Sequence, residues 1–209
     1  MVKRGLSRDR LVELAHEYVA AHGLDALTMR RLAAAAEVTP GALYKHFRDR
    51  KDLRRAMADA IFQTVDLADI DPGSAGVDGV IACCERMRQA MLRFCDGGRI
   101  VAGSYAPFAA TVELSATLRA LLRVVALPHI DAGDLAFVLR SYTTGFVIEE
   151  QAYLALQSSG EWDTLVGTVS AHSRVGEPAD VIAIMTGDRD RRFRAGLMAI
   201  LVGSARTAS

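Results

Sequence analysis

Proline is scarce, five in 209 residues, so little in this chain interrupts a helix. Aromatic residues make up only 6% while hydrophobic residues reach 51%, with alanine and leucine prominent among them. Those two are strong helix formers. No alternating run of useful strand length occurs and no segment repeats, so the expected fold class is all-α, with enough apolar surface for a substantial core. No apolar run reaches the roughly 18 residues that a bilayer span needs. The opening "MVKRGLSRDR" is charged and leads into an amphipathic segment, not into the apolar centre of a signal peptide. The chain reads as soluble and cytoplasmic, with no membrane partner.

Cysteine is nearly absent too. Cys83, Cys84 and Cys95 are odd in number, with no C-x-x-C and no nearby His, which argues against a disulfide framework or a zinc site. All three fall in one expected helix and read as small buried apolar residues. Catalytic signatures are missing: no G-x-S-x-G, H-E-x-x-H, P-loop or G-x-G-x-x-G. Adjacent Glu149 and Glu150 point about 100° apart on a helix and do not converge as an acid–base pair. The five histidines are scattered. The chain is read as no enzyme, and neither a cofactor nor a metal is expected.

What is present is unevenly spread. The net charge is +0, yet residues 1–60 hold 12 Lys/Arg against 8 Asp/Glu, and residues 61–209 hold 13 against 17. A basic front on an acidic remainder suits a polyanion-binding head. Ser7 is placed to cap a helix to about residue 22, with Leu11, Leu14, Ala15, Tyr18 and Val19 inward. Thr28 is placed to cap "MRRLAAAAE". Thr39 caps a third helix with Pro40 at its first position, ending near Phe47. Asp49 caps a fourth, expected over 50–68. Further helices are expected near 77–95, 97–102, 109–127, 131–157, 178–186 and 188–205, with residues 158–177 as a long loop.

The segment "LTMRRLAAAAEVTPGALYKHFRDRKDL" is then a helix, the four-residue turn "EVTP" and a short second helix: a helix-turn-helix. In that geometry the second helix enters the DNA major groove with its first residues against base edges. Gly41 and Ala42 are small enough for close backbone approach. Thr39 and Lys45 offer groups to bases or phosphates, and Tyr44, His46, Arg50 and Lys51 suit phosphates on either side. Arg30 is the candidate for a bidentate guanine contact. Leu43 and Phe47, four apart, read as core, and a run such as Arg48–Lys51 taken alone is an ordinary solvated surface.

These residues resemble the TetR family of bacterial repressors, in its pattern L-T-x-R-x-L-A followed by V-x-x-x-x-L-Y, over about residues 7–60. The resemblance implies that Arg30 and Thr39, Pro40, Gly41 and Ala42 read bases, while Thr28, Tyr44, His46 and Arg50 hold phosphates. "DGGRIVAGS", "YTTGFVIEEQ" and "FRAGLMAILVG" look like segments of the tetracycline-responsive branch, in the same order. It implies a DNA-binding domain over residues 1–50, a connecting helix over about 50–68, and a ligand-binding and dimerisation domain over 69–209. It also implies a homodimer through helices 131–157 and 188–205, matched to a palindromic operator with half-sites roughly 34–36 Å apart. Tyr142, Phe146, Glu149, Tyr153 and Leu156 line one face of the first of these helices, and Phe193, Leu197, Ile200 and Leu201 one face of the second.

A small-molecule pocket is expected among the helices over 77–157, walled by Met87, Met91, Val101, Tyr105, Phe108, Tyr142 and Phe146. Glu149 is its expected polar anchor, because a carboxylate on an apolar face needs a partner. The branch's magnesium-holding His matches Val101 here, and its Asn and second His match Cys83 and about Asp66; only the Glu, at Glu149, is kept. A hydrophobic or aromatic effector with one or two polar handles is expected instead of metal-chelated tetracycline. The expected mechanism is allosteric release of operator DNA, and the alternative reading is a ligand-blind or architectural DNA-binding protein.

Overall fold

The computed structural model describes residues 7–125, 130–172, 183 and 186–206. Its helices are α1 (Arg8–His22), α2 (Met29–Ala35), α3 (Pro40–Tyr44), α4 (Arg50–Phe62), α5 (Gly76–Leu92), α6 (Gly97–Val101), α7 (Ala109–Val125), α8 (Ala132–Ser159), α9 (Glu161–His172) and α10 (Arg189–Arg206). Among the described residues there is no strand. No helix among them is long and apolar enough to cross a membrane.

Side-chain caps start three of these helices where the sequence places them. The Ser7 hydroxyl accepts from Arg10 N–H at 3.1 Å, Thr28 from Arg31 N–H at 3.2 Å, and Asp49 from Asp52 N–H at 2.7 Å. Each satisfies a donor that the first helical turn otherwise leaves unpaired. Thr39 is different: it stands at the N-cap in extended conformation, but its side chain makes no capping bond. Pro40, which has no N–H to satisfy, takes the first position instead.

Several helix ends differ from expectation. Helix α2 stops at Ala35 because Glu37 turns into the left-handed region, φ 55°. Helix α3 ends at Tyr44, although the Phe47 N–H still reaches Leu43 O at 2.9 Å. Helix α4 ends at Phe62 rather than at 68. The Thr64 hydroxyl takes Ile61 O at 2.7 Å, and Asp66 closes a local turn on Ala68 N–H at 3.0 Å, so side chains compete with the backbone ladder there. Helix α5 ends at Leu92, which leaves Cys95 beyond it and exposed; only Cys83 and Cys84 are buried. Burial pushes the Cys83 thiol up to about 12.

The expected loop over 158–177 is partly a helix. Gly160, at φ 75°, stops α8, and α9 begins at once. Trp162 meets Tyr153 edge-on, with centroids 4.7 Å apart. Helix α9 has almost no buried face within the described residues, so it lacks the periodicity that would have announced it. The segment expected over 178–186 lies outside the described residues except at positions 183 and 186.

One apolar cluster runs unbroken from Leu11 to Leu201. Helix α4 sits in its middle, packed on α1 on one side and on α5, α6 and α7 on the other. Helices α5, α7 and α8 pack mutually, α6 lies on α8, and α10 lies on α8 and α5. The two glycines of "DGGRIVAGS" are what let α6 fit. A Cβ at Gly97 would stand 2.0 Å from Met91 O, and one at Gly98 3.0 Å from Val147 and Ile148.

Candidate DNA-binding head and effector cavity

The head is built from α1, α2 and α3, with Leu11, Ala15, Leu32, Leu43 and Phe47 buried between them. Their burial turns the remaining side chains outward. Thr28, Arg30, Thr39, Pro40, Gly41, Tyr44, Lys45, Arg50 and Lys51 are exposed, while Ala42 and His46 are half-buried. Among the described residues, Arg30, Lys45 and Lys51 have no carboxylate partner to compete with an anion for them. Arg50 is less free, because its guanidinium donates to Leu24 O at 3.1 Å.

Beneath this surface Arg8 spans the junction. Its guanidinium carbon lies 4.4 Å from the Phe47 ring centroid, and it donates to His46 O and to Asp52 at 3.3 Å. Asp52 also accepts from Arg48 N–H at 3.1 Å. Burial alone would raise its pKa, but these partners outweigh it and hold the carboxyl below its ordinary value. The recognition helix is therefore anchored at its carboxyl end to both α1 and α4.

A second junction joins the head to the body. Arg54 of α4 donates to three carbonyl oxygens at the end of α6: Ile100 at 3.1 Å, Arg99 at 2.8 Å, and Ala102. Burial, then the nearby charges of Arg50 and Arg99, lower its pKa. Arg55 donates to Ser104 O at 3.2 Å. Asp96, whose backbone is left-handed at φ 56°, accepts from Leu24 N–H at 2.8 Å, and Arg99 holds Asp25 at 2.8 Å. Farther along α4, Asp59 accepts from both the N–H and the hydroxyl of Thr111, each at 2.8 Å. The segment "DGGRIVAGS" is thus clasped to α4 and to the turn before α2.

His16 lies in the α1–α4 seam, 4.5 Å from the Phe94 ring, with Nε2 3.2 Å from Met57 O. Burial pushes its pKa from 6.5 down to about 4, although the Met57 hydrogen bond opposes the shift. Protonation therefore favours the unfolded chain. Stability from this residue is complete above pH 6.5 and is lost as pH falls towards 4. Between pH 7 and 5 the wild type is expected to lose about 2 kcal/mol from this residue, read from urea midpoints, and His16→Phe to flatten the slope. An equal slope in both proteins would place the titrating group elsewhere.

The body contains a cavity of about 450 Å³, roofed by Phe62 of α4 and walled by Met87 of α5, Leu114 and Leu118 of α7, and Ala136 of α8. Tyr105, Phe137, Arg119 and Arg140 also line it. The eight expected pocket residues do not all gather here. Met87 and Tyr105 do; Val101 lies with Tyr105 on a second cavity of about 270 Å³. Met91 is fully buried packing. Phe108 lines a groove between α1 and α4 of about 530 Å³. Tyr142 stacks on Phe193 at 5.5 Å and donates to its carbonyl at 3.1 Å. Phe146 and Glu149 face a different hollow, beside Trp162.

Glu149 itself is exposed, which corrects its expected role as the anchored carboxylate. Its neighbour Glu150 is the buried one, and it grips Arg88 bidentately at 2.7 and 2.8 Å. One residue of helix rotation, about 100°, makes the difference. Sequence reasoning passed over Phe62, Arg54, Arg119 and Arg140. The usable signal for Arg140 was an arginine with no acid three or four residues away on its own helix.

Comparison with known proteins places this geometry. The profile of bacterial regulatory proteins of the tetR family matches residues 11–57, and that of the tetracyclin repressor-like C-terminal domain matches residues 77–207. The chain is 32% identical over 207 residues to the class C tetracycline repressor protein of Escherichia coli, covering 95% of this chain and 90% of that one. The class A repressor protein from transposon 1721, also of E. coli, is 38% identical over 138 residues, 62% of this chain and 60% of that one. Among solved structures, a possible TetR family regulator from Streptomyces coelicolor A3(2) superposes with TM-score 0.78 at 30% identity, covering 94% and 98% of the two chains. ActR of S. coelicolor in complex with actinorhodin gives 0.76 at 27% identity, covering 99% and 100%. BioQ with its double-stranded DNA operator gives 0.68 at 28%, covering 96% and 98%. With both profiles matched in order and a relative aligned along nearly its whole length, this chain belongs to the tetR family of bacterial regulatory proteins.

Proposed function

We propose that this protein is a cytoplasmic transcriptional repressor that binds a palindromic operator as a homodimer and is released from it by a small hydrophobic or aromatic effector. The observation that carries the reading is the Arg54 clasp, which ties α4, and through it the head, to the end of α6 beside the cavity. Residues 1–50 serve as the DNA-binding domain and 69–209 as the effector-binding and dimerisation domain. Arg30, Thr39, Gly41 and Ala42 meet bases, with Thr28, Tyr44, Lys45 and Lys51 on phosphates. Relatives seen with an operator and with a bound natural product support both halves. No catalytic step is assigned.

Two copies join through α8 and α10; Phe193, Leu197 and Leu201, expected on that interface, are instead buried within the single chain, and the exposed apolar side chains left for pairing are Leu154, Met198 and Val202. Pairing covers that apolar surface. An effector displacing the packing around Phe62 moves α4, and α4 sets the separation of the two recognition helices. It must favour the released state by a coupling of about 1–3 kcal/mol.

Arg54→Ala is expected to bind operator within about threefold of wild type yet to need at least about tenfold more effector for release, since the coupling is what it removes. Equal release by wild type and variant would overturn the role given to the clasp. Effector recognition is also expected to need no magnesium. Val101 and Cys83, at the positions matching the branch's metal-site His and amide, are buried and apolar. A thermal-shift screen of aromatic antibiotics, with and without magnesium, tests this; a shift confined to tetracycline plus magnesium would contradict it.

A further inference from the structure

From the charge pattern of the 450 Å³ cavity, we infer that its effector is an aromatic anion, a flat ring system bearing a carboxylate that Arg140 receives. The inference rests on the reading of this cavity as the effector site. The lining is apolar except for Ser115, the Tyr105 hydroxyl and two cations, Arg119 and Arg140; it contains no carboxylate. The 270 Å³ cavity that shares Tyr105, Phe137 and Arg140 has none either. Three other cavities each carry acids: Asp66 and Glu113, then Asp9, Glu13, Glu17 and Asp59, then Glu149 and Glu150. Of these five cavities among the described residues, the two without an acid are the two that Arg140 lines.

Neither arginine has a carboxylate partner among the described residues. On α8 the positions three and four away from Arg140 are Ala136, Phe137, Thr143 and Thr144; on α7 those around Arg119 are Ser115, Ala116, Leu122 and Arg123. No intrahelical ion pair is available to either. Arg140 is half-buried, and its guanidinium carbon lies 5.5 Å from the Phe137 ring centroid and 5.9 Å from that of Tyr105. Both rings are largely in solvent, Phe137 at 54% and Tyr105 at 69% exposure.

Tyr105 also holds a left-handed backbone at φ 43°, a conformation unfavourable for a non-glycine residue and one that clusters at ligand clamps. A planar cation with no carboxylate partner among the described residues, flanked by two exposed rings at the edge of an apolar cavity, offers a stacking surface and a bidentate carboxylate fork together. A neutral hydrocarbon would leave the fork unused, and a cation would be repelled by it.

The test uses the full-length dimer and three probes of one shape: anthracene-9-carboxylate, anthracene-9-carboxamide and 9-(aminomethyl)anthracene. Affinities are read by titration calorimetry for wild type, Arg140→Met, Arg119→Met and Ala136→Trp, the last filling the cavity. The carboxylate is expected to bind wild type at least about tenfold tighter than the amide, and the ammonium weakest. Arg140→Met is expected to abolish the preference while leaving amide affinity within about twofold, and Ala136→Trp to weaken all probes. Equal binding of carboxylate and amide, or a preference that survives in Arg140→Met, overturns the anion inference while leaving the effector cavity standing. No binding by any probe, or binding untouched by Ala136→Trp, overturns the cavity reading and the anion inference with it.

Discussion

Glu150→Gln is expected to destabilise the folded protein by about 3–5 kcal/mol, the usual cost of leaving one member of a buried ion pair without its partner. Arg88 is only 3% exposed, and Glu150 is its buried counter-ion. Burial alone would push the Arg88 guanidinium down; hydrogen bonds to Glu150 and Asp190 outweigh that and raise its pKa, so it stays charged. The rings of Phe146 and Phe193 flank it at 5.4 and 5.2 Å, on α8 and α10. One cation thus pins α5 to both helices proposed for the dimer. The third contact, to Asp190 at 2.6 Å, involves a carboxylate whose side chain is 83% exposed, so Asp190→Ala is expected to cost under about 1 kcal/mol. The paired change Arg88→Met with Glu150→Leu is expected to recover most of the loss, since an apolar pair of similar volume needs no counter-charge. Denaturant unfolding at fixed protomer concentration, needed because a dimer's stability depends on it, reads all three. A Glu150→Gln protein within about 0.5 kcal/mol of wild type would show that the pair holds nothing together.

Arg30→Ala is expected to weaken operator binding by about 2–6 kcal/mol, roughly 30-fold to 10⁴-fold, and to relax preference at one base pair in each half-site. A bidentate guanine contact contributes about 1–3 kcal/mol, and a two-fold dimer loses it twice. Lys45→Ala is expected to behave differently, weakening all sequences alike and lowering the salt slope by about one unit per lost phosphate contact. Fluorescence anisotropy on operator variants at several salt concentrations separates the two roles. If Arg30→Ala bound every operator variant as wild type does, Arg30 would be no base reader. If Lys45→Ala also lost effector affinity in equal measure, the division into head and body would fail.

Most helices were legible because their signals are local. Ser7, Thr28 and Asp49 each bond an amide three residues on, a geometry that needs no tertiary partner. The end of α4 was misjudged because Thr64 and Asp66 compete for backbone groups by a few hydrogen bonds only. Helix α9 was missed because periodicity records burial within one chain, and most of its described side chains are exposed. Choosing between Glu149 and Glu150 needed the rotation of α8 against α5, which no pattern on α8 alone contains.

An all-helical chain and a helix-turn-helix with outward polar residues could be read from the residues alone, because capping chemistry, the 3.6-residue period and turn residues act within a few neighbours; the family was legible only through the resemblance of its motif. Tertiary structure alone decided which inward residues meet a void and which meet one another. That is why Arg54 finds three carbonyls 45 to 48 positions away, why Arg88 finds Glu150 62 positions away, and why Tyr105, Phe137 and Arg140 come together. A buried charge must be matched by whatever the fold brings beside it, and packing at close to crystal density leaves cavities only where facing helices fail to interdigitate.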